Sequence, residues 1–463
     1  MWIDRTEKKL KFINDLLALD RQVLVLRGAR QVGKTSFVLN ALEGLTEYPQ
    51  LRLNFFYPGS FRLNGIDYLG RDFFGVAPTG QEFLRNIQQR LENPGQGKRP
   101  AGPARPAIVF IDEADSFPLV LEAIQSLAEF SDRLKIVLTG SNLENIAVKN
   151  AATGRKKYFD LYPITFPEFL EAAGDDGALR YFWEISLHDN KHSTYYHNRL
   201  RELARLHTRI GGMPRIVAAH LGAGEANSGQ PIPEIVADLA VSIEENVKTV
   251  LGEKAKLYEY EDVLRKMAHL SMNTLKFVHL QVQHAGRSEA KKLVSKTVGA
   301  RVAHKIRLFE SESDLSKYIL FDCGIANYLL SGSDLLGASV SERDMATLAE
   351  TFVGTELIAQ MTTRDDMFYW KSGNRAEVDF VLRSPVLAAI DVKSGRGDAK
   401  SLNSFALLEP EAQVLVKIAD SDPRIDRRHT ASLPNFDKKR EIPLITIPHY
   451  LAPRISGFLE DWK

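Results

Sequence analysis

Eight consecutive residues constrain this chain more than any others: Gly28-Ala29-Arg30-Gln31-Val32-Gly33-Lys34-Thr35 has the spacing G-x-x-x-x-G-K-[ST]. The stretch follows an apolar run, Gln22 to Leu26, and opens a helical pattern beginning Ser36-Phe37-Val38-Leu39. Strand, glycine-rich turn and helix in that order form the first half of a βαβ unit. The glycines let the backbone wrap around an anion, so that successive N–H groups and the helix N-terminus face negative charge. The expected cradle is Gly28, Ala29, Arg30, Gln31, Val32, Gly33, Lys34, Thr35 and Ser36. Lys34 is placed to reach the β and γ phosphates of a nucleotide, and Thr35 to ligate Mg²⁺.

The surroundings agree with that reading. Leu10, Ile13, Leu16 and Leu17 recur at helical spacing over residues 5–18. Apolar runs at Leu51–Phe56, Ala107–Ile111 and Leu134–Leu138 alternate with helical patterns, which predicts a parallel sheet and an α/β fold. The run Ala107-Ile-Val-Phe-Ile-Asp112-Glu113 supplies the acids expected at the end of a neighbouring buried strand. Asp112 would complete the Mg²⁺ shell and Glu113 would polarise the attacking water; a helix start would also attract such acids. A third strand ends in Thr139-Gly140-Ser141-Asn142. Asn142, with Ser141 beside it, is the candidate sensor of the γ-phosphate, although an ordinary turn has the same composition. Without an Asn-Lys-x-Asp guanine-reading motif, the expected nucleotide is ATP.

A length of 463 residues predicts two to four domains. Sixty basic residues stand against 59 acidic ones, so no global field draws the chain to nucleic acid or membrane, and any such attraction must be local. Cys323 is the only cysteine, which excludes a disulfide within the chain and fits a buried thiol. No apolar run is long enough for a signal or a membrane span, so the expectation is a cytoplasmic protein without membrane contact. Four regions are expected: a nucleotide-binding core at 1–175, a helical lid at 176–255, a basic region at 256–335 and a second α/β domain at 336–463. Residues 93–106, rich in Pro and Gly, read as a surface loop. Arg287, Lys291, Lys292, Lys296, Arg301, Lys305 and Arg307 form a basic run opposed within it only by Glu289. Such a run suits phosphate contact, or equally a solvated helix face.

In the last region, Ala376 to Leu382 and Leu387 to Lys393 alternate as two paired strands. Period-two geometry sets Glu377 with Asp379 and Asp391 with Lys393, while Val378, Phe380, Ile390 and Val392 point to the other side. Three acids and a lysine over one hairpin form either a candidate Mg²⁺ site or a polar strand face with cross-strand ion pairs.

Taken together, Arg27 to Thr35, Ile111-Asp-Glu113, Thr139-Gly-Ser141, Gly154-Arg155, Leu161 to Leu170 and Gly211-Gly-Met-Pro-Arg215 resemble the AAA-type P-loop ATPases of bacteria and archaea. More narrowly, the chain resembles the group in which a restriction-endonuclease-like domain of unknown function follows the ATPase. That resemblance implies a winged-helix-like module at 256–335 and a lid containing Gly212 to Arg215. It also implies a charge-stabilising role for Arg155 on its own or a neighbouring subunit's nucleotide. For the last domain it implies a PD-(D/E)xK core, with Asp379, Asp391 and Glu350 (preferred over Glu356) as metal ligands and Lys393 as the catalytic lysine. The function so implied is an ATP-hydrolysing protein associated with nucleic acid, DNA before RNA, with a metal-dependent nuclease-like domain and a homo-oligomer as one possible assembly. The alternative is an ATP-gated switch or scaffold whose nuclease-like domain is catalytically inactive and serves binding.

Overall fold

A computed structural model describes residues 3, 5–54, 57–63, 66–70, 72, 80–92, 106–116, 128–129, 133–140, 143, 154–189, 191–222, 230–251, 257–275, 280, 287–313, 315–332, 341–361, 366–373, 376–393, 397–434 and 437–462. The chain divides into two compact units, Arg5–Tyr162 and Pro163–Lys463, the latter joined by Met1–Asp4. Both are α/β.

The first unit runs α1 (Thr6–Leu17), β1 (Val23–Arg27), α2 (Lys34–Glu43), β2 (Gln50–Asn54), β3 (Phe61–Leu63), β4 (Ile66–Tyr68), α3 (Gly80–Glu92), β5 (Ala107–Asp112), β6 (Leu134–Thr139) and β7 (Lys156–Asp160). Five strands form a parallel sheet in the order β2-β5-β6-β1-β7. Every residue of β5 and β6 is buried. Parallel strands covered on both faces need continuous apolar runs, which is why these were legible in sequence. One expectation fails: β5 is not the neighbour of β1, because β6 lies between them. Phe12 of α1, Phe37 of α2 and Phe159 of β7 pack with ring centroids 5.4–5.9 Å apart. Each such pair contributes about 0.5–1.5 kcal/mol beyond its burial and fixes the helix that follows the glycine-rich turn. The loop expected at 93–106 lies outside the described residues, apart from Pro106.

The second unit begins with helices Phe166–Ala172, Asp176–Glu184, Thr194–Ile210, Pro214–His220, Ile232–Leu251, Leu257–His269 and Arg287–Gly299. An eight-stranded mixed sheet follows, built from β8 (Ala303–Leu308), β9 (Ser316–Leu320), β10 (Met367–Ser372), β11 (Ala376–Leu382), β12 (Ala388–Val392), β13 (Val414–Ile418), β14 (Arg424–Asp426) and β17 (Leu444–Ile447), while β15 (Thr430–Ala431) and β16 (Arg440–Glu441) pair separately. Its order is β14-β17-β13-β12-β11-β10-β8-β9. The β8–β9 hairpin, which falls where the resemblance implies a winged-helix-like module, is the edge of this sheet, because β8 also pairs with β10 in parallel.

The Gly211-Gly-Met-Pro214 segment separates helices Thr194–Ile210 and Pro214–His220. Its glycines permit a close crossing. A Cβ on Gly212 would stand 2.1 Å from the Ile164 carbonyl oxygen, and Gly211 has φ 76°. The buried Asp322 carboxylate seals the crossing by accepting from the N–H groups of Gly212 (2.7 Å) and Ile325 (2.9 Å).

Strand alternation also breaks at one point. Phe368 pairs with Val381 but Trp370 with Val378, so β11 carries an extra residue, a bulge, between them. Val378 and Val381 therefore both join the cluster with Phe309, Trp370 and Phe405. Phe380, expected to share a face with Val378, instead lies against Gly354 of helix Glu342–Gln360. Glu350 lies one turn before Gly354, so the close approach there brings Glu350 down to the sheet. Among the described residues, no helix is long and apolar enough to cross a membrane.

Candidate functional site

In the first unit, Gly28 follows the last residue of β1 and must be glycine, since a Cβ would stand 2.4 Å from the Leu161 carbonyl oxygen. Gly33 caps α2 in the left-handed region at φ 86°, and no side chain caps the helix, so its first N–H groups face the turn. Lys34 is buried. Its ammonium donates to the carbonyl oxygens of Gly28 (3.0 Å) and Ala29 (2.9 Å), which folds it back into the cradle. Burial pulls its pKa down to about 8, against the opposing pull of Glu113, Asp115 and Asp112.

Asp112, at the end of β5, is the hub. Its carboxylate accepts from Thr35 Oγ1 (3.0 and 3.1 Å), Thr139 Oγ1 (2.5 Å), Asn54 Nδ2 (3.2 Å) and the Glu113 N–H (3.1 Å). Burial raises its pKa, and the hydroxyls of Thr139 and Thr35 hold it down. Glu113 sits beyond it with φ 51°, a conformation that costs a non-glycine residue about 1 kcal/mol or more. Its carboxyl is pushed up to about 7 by burial first, then by Asp115 and Asp112. The intervening strand β6 serves the site twice. Thr139 bonds Asp112, and Gly140 leaves room for Asp115, whose Oδ1 would stand 2.6 Å from a Cβ there.

A carboxylate and a hydroxyl converging in a buried pocket are hard oxygen donors, so Thr35 and Asp112 fit Mg²⁺ beside a phosphate cradle. Asn142 and Ser141 lie outside the described residues. Arg155 is not brought to this site. It precedes β7 at the strand end where Lys156 pairs with Val23, whereas the cradle leaves the other end of β1, and its guanidinium reaches toward the Arg21 carbonyl oxygen (3.5 Å). Asn54 was not singled out in the sequence; Thr139 was read at the end of the third strand, but the sensor role there was given to Asn142 and Ser141, not to Thr139.

The second unit gathers the other predicted residues. Asp379 accepts from the Val392 N–H (2.8 Å), and Lys393 forms an ion pair with Asp391 (2.8 Å). Burial and then the Asp379 charge push Asp391 up to about 7, and burial followed by Asp379 pushes Glu350 to about 8. Glu356 is elsewhere, buried and accepting from the Phe166 N–H (2.8 Å) at a helix start. Lys317 of β9 joins the cluster, its Nζ 2.5 Å from Glu377 Oε1 and 4.0 Å from Asp379 Oδ1. Burial would raise Glu377, but Lys317 and then Lys371 hold it below the ordinary range. No sequence signal marked Lys317, which comes from a distant edge strand. Among the described residues, no three His, Cys, Asp or Glu side chains are arranged to hold a metal ion, and in this cluster lysine ammoniums already stand against the oxygens of Glu377 and Asp391, so the carboxylates as placed do not fit one. In the basic run, Arg301 is buried, while Lys291, Lys292, Lys305 and Arg307 are exposed. Cys323 is buried, and burial pushes its thiol up.

Residues 20–170 match the family model of an AAA domain, and residues 345–436 match that of a domain of unknown function, DUF4143. No curated protein matches the chain. Solved structures similar to it include Pif1 helicase from Candida albicans (13% identity, 44% of this chain and 48% of that one, TM-score 0.25). Drosophila ORC bound to DNA (12%, 67% and 90%, 0.26) and C. elegans PCH-2 (16%, 51% and 59%, 0.23) are similar at the same level. The chain thus spans about half the length of the helicase and over half of PCH-2. Nothing about activity follows from likeness at these scores.

Proposed function

We propose that this protein binds and hydrolyses ATP through its AAA domain and uses the nucleotide state to gate binding by its second unit, with nucleic acid as the partner. The observation that carries the ATP reading is the convergence of Lys34, Thr35 and Asp112 at the ends of β1 and β5. Lys34 would exchange its two carbonyl partners for β and γ phosphate oxygens. Thr35 and Asp112 would hold Mg²⁺, whose charge offsets that of the phosphates. Glu113, next along the chain from Asp112, would orient and deprotonate the attacking water. Asn142 would sense the γ-phosphate, and Arg155, pointing away from its own cradle, would act only on a neighbouring subunit's nucleotide. Phosphate contact would fall to the exposed members of the basic run.

A gated binding role for the last domain is supported by its lysine-filled carboxylate cluster. The rival is metal-dependent cleavage with Glu350, Asp379 and Asp391 as ligands and Lys393 as the catalytic lysine. The test is ATP turnover with and without double-stranded DNA, single-stranded DNA and RNA, together with a cleavage assay in Mg²⁺. Stimulation by one nucleic acid without cleavage supports the reading. Cleavage that disappears in Lys393→Ala replaces it with the rival, and turnover indifferent to all three nucleic acids removes nucleic acid as the partner.

A further inference from the structure

Glu350 on helix Glu342–Gln360, Glu377 and Asp379 on β11, and Asp391 on β12 form one electrostatic cluster. Carboxylates crowded away from water must be neutralised. Lys317 does this from β9, which β8 and β10 separate from β11 in the sheet. Its side chain is 1% exposed, passes over the Tyr369 ring with Nζ 5.1 Å from the centroid, and ends 2.5 Å from Glu377 Oε1. Glu377 also meets Lys371 (3.2 Å), Asp391 meets Lys393 (2.8 Å), and Asp379 takes the Val392 N–H (2.8 Å). Three lysines therefore stand against four carboxylates.

We propose that Lys317 is the built-in cation of this cluster, standing where a divalent ion would otherwise be required, so that the wild-type cluster takes neither Mg²⁺ nor Mn²⁺. A divalent ion needs several oxygens at about 2.0–2.2 Å and usually keeps waters. To enter, it would have to share the space with an ammonium whose side chain is 1% exposed, and like charges repel strongly where water is scarce. The inference stands apart from the ATP reading, since it concerns only the second unit.

The experiment titrates Mn²⁺ alone into nucleotide-free, full-length protein carrying Asp112→Asn, which silences the oxygen site of the first unit, and reads bound Mn²⁺ by electron paramagnetic resonance. No Mn²⁺ should bind at concentrations up to about 1 mM, the weak end of protein carboxylate sites. Adding Lys317→Met should create one Mn²⁺ site, and adding Asp391→Asn to that protein should abolish it. Binding in the presence of Lys317 that Asp391→Asn removes would overturn the proposal, whether or not Lys317→Met folds. A Lys317→Met protein with the melting temperature of its parent that still takes no Mn²⁺ would overturn it equally.

Discussion

The Thr35 hydroxyl lies 3.0 Å from Oδ1 and 3.1 Å from Oδ2 of Asp112, although 77 residues separate them. The parallel sheet closes that distance by ending β1 and β5 on the same side, with Thr139 of β6 steadying the carboxylate between them. Removing the hydroxyl removes an oxygen donor but no phosphate contact. Thr35→Ala should therefore weaken ATP binding about tenfold or more in Mg²⁺ and leave binding in EDTA nearly unchanged. Titration of a fluorescent ATP analogue in both buffers measures the two affinities. Equal losses in both would mean that Thr35 has no role at the metal.

Gly28 tests the cradle by geometry alone. A Cβ there would meet the Leu161 carbonyl oxygen at 2.4 Å and Val32 Cγ2 at 3.0 Å, and the first of these is backbone, so it cannot yield as the end of a flexible side chain would. Gly28→Ala should destabilise the first unit by about 1–3 kcal/mol and lower nucleotide affinity as the turn is pushed out of place. Chemical denaturation and nucleotide titration read the two effects. Unchanged stability would show that the close approach is not maintained in solution.

The sheet core and the nucleotide cradle were legible because each rests on a local pattern: continuous apolar runs for β5 and β6, and glycines at fixed spacing before Lys34. The insertion of β6 between β1 and β5 was not, since parallel strand order is set by crossovers that leave no local mark. In the second unit, Asp379, Asp391 and Lys393 were readable from alternation within their strands, whereas Glu350 came only from the resemblance to a known family. The bulge that turns Phe380 toward Gly354 breaks that alternation, and the same seven-residue strand reads as regular in sequence. Lys317 was invisible for a different reason: its meaning arises only when an edge strand folds within reach of β11.

Glu350 and Glu356 lie on the same helix but should respond oppositely. Glu356 accepts from the buried Phe166 N–H, so Glu356→Ala leaves that donor unpaired and should cost about 1–3 kcal/mol. Glu350 is pushed up to about 8 by burial and Asp379, so a neutral amide resembles its prevailing form at pH 7. Glu350→Gln should leave stability within about 0.5 kcal/mol of wild type. Denaturant midpoints of both variants decide the matter, and a larger loss in Glu350→Gln would reverse the assignment.

His207 sets an acid limit on the second unit. It is fully buried with Nε2 2.9 Å from the Ile164 carbonyl oxygen, and burial lowers its pKa from 6.5 to about 4. Below pH 6.5 the unfolded chain takes up the proton first, so stability falls as pH drops from 6.5 toward 4 and then levels. The loss is at most about 3 kcal/mol. Asp322, raised by burial to about 6, works the other way, adding stability as pH falls from 6 to 3.8. The clean observable is therefore the difference between wild type and His207→Gln, which retains a donor for Ile164. That difference should change by up to about 3 kcal/mol between pH 7 and pH 4, with the wild type losing more. A difference independent of pH would mean that His207 is not held neutral.

The central claim is that Lys34, Thr35, Asp112 and Glu113 form a working ATPase site. Steady-state ATP turnover in Mg²⁺, compared among wild type, Lys34→Ala and Glu113→Gln, tests it most directly. The account predicts measurable turnover in the wild type, abolished in both variants, with ATP binding lost in Lys34→Ala and retained in Glu113→Gln. Turnover that persists in Glu113→Gln, or a wild type that neither binds nor hydrolyses ATP, would contradict it.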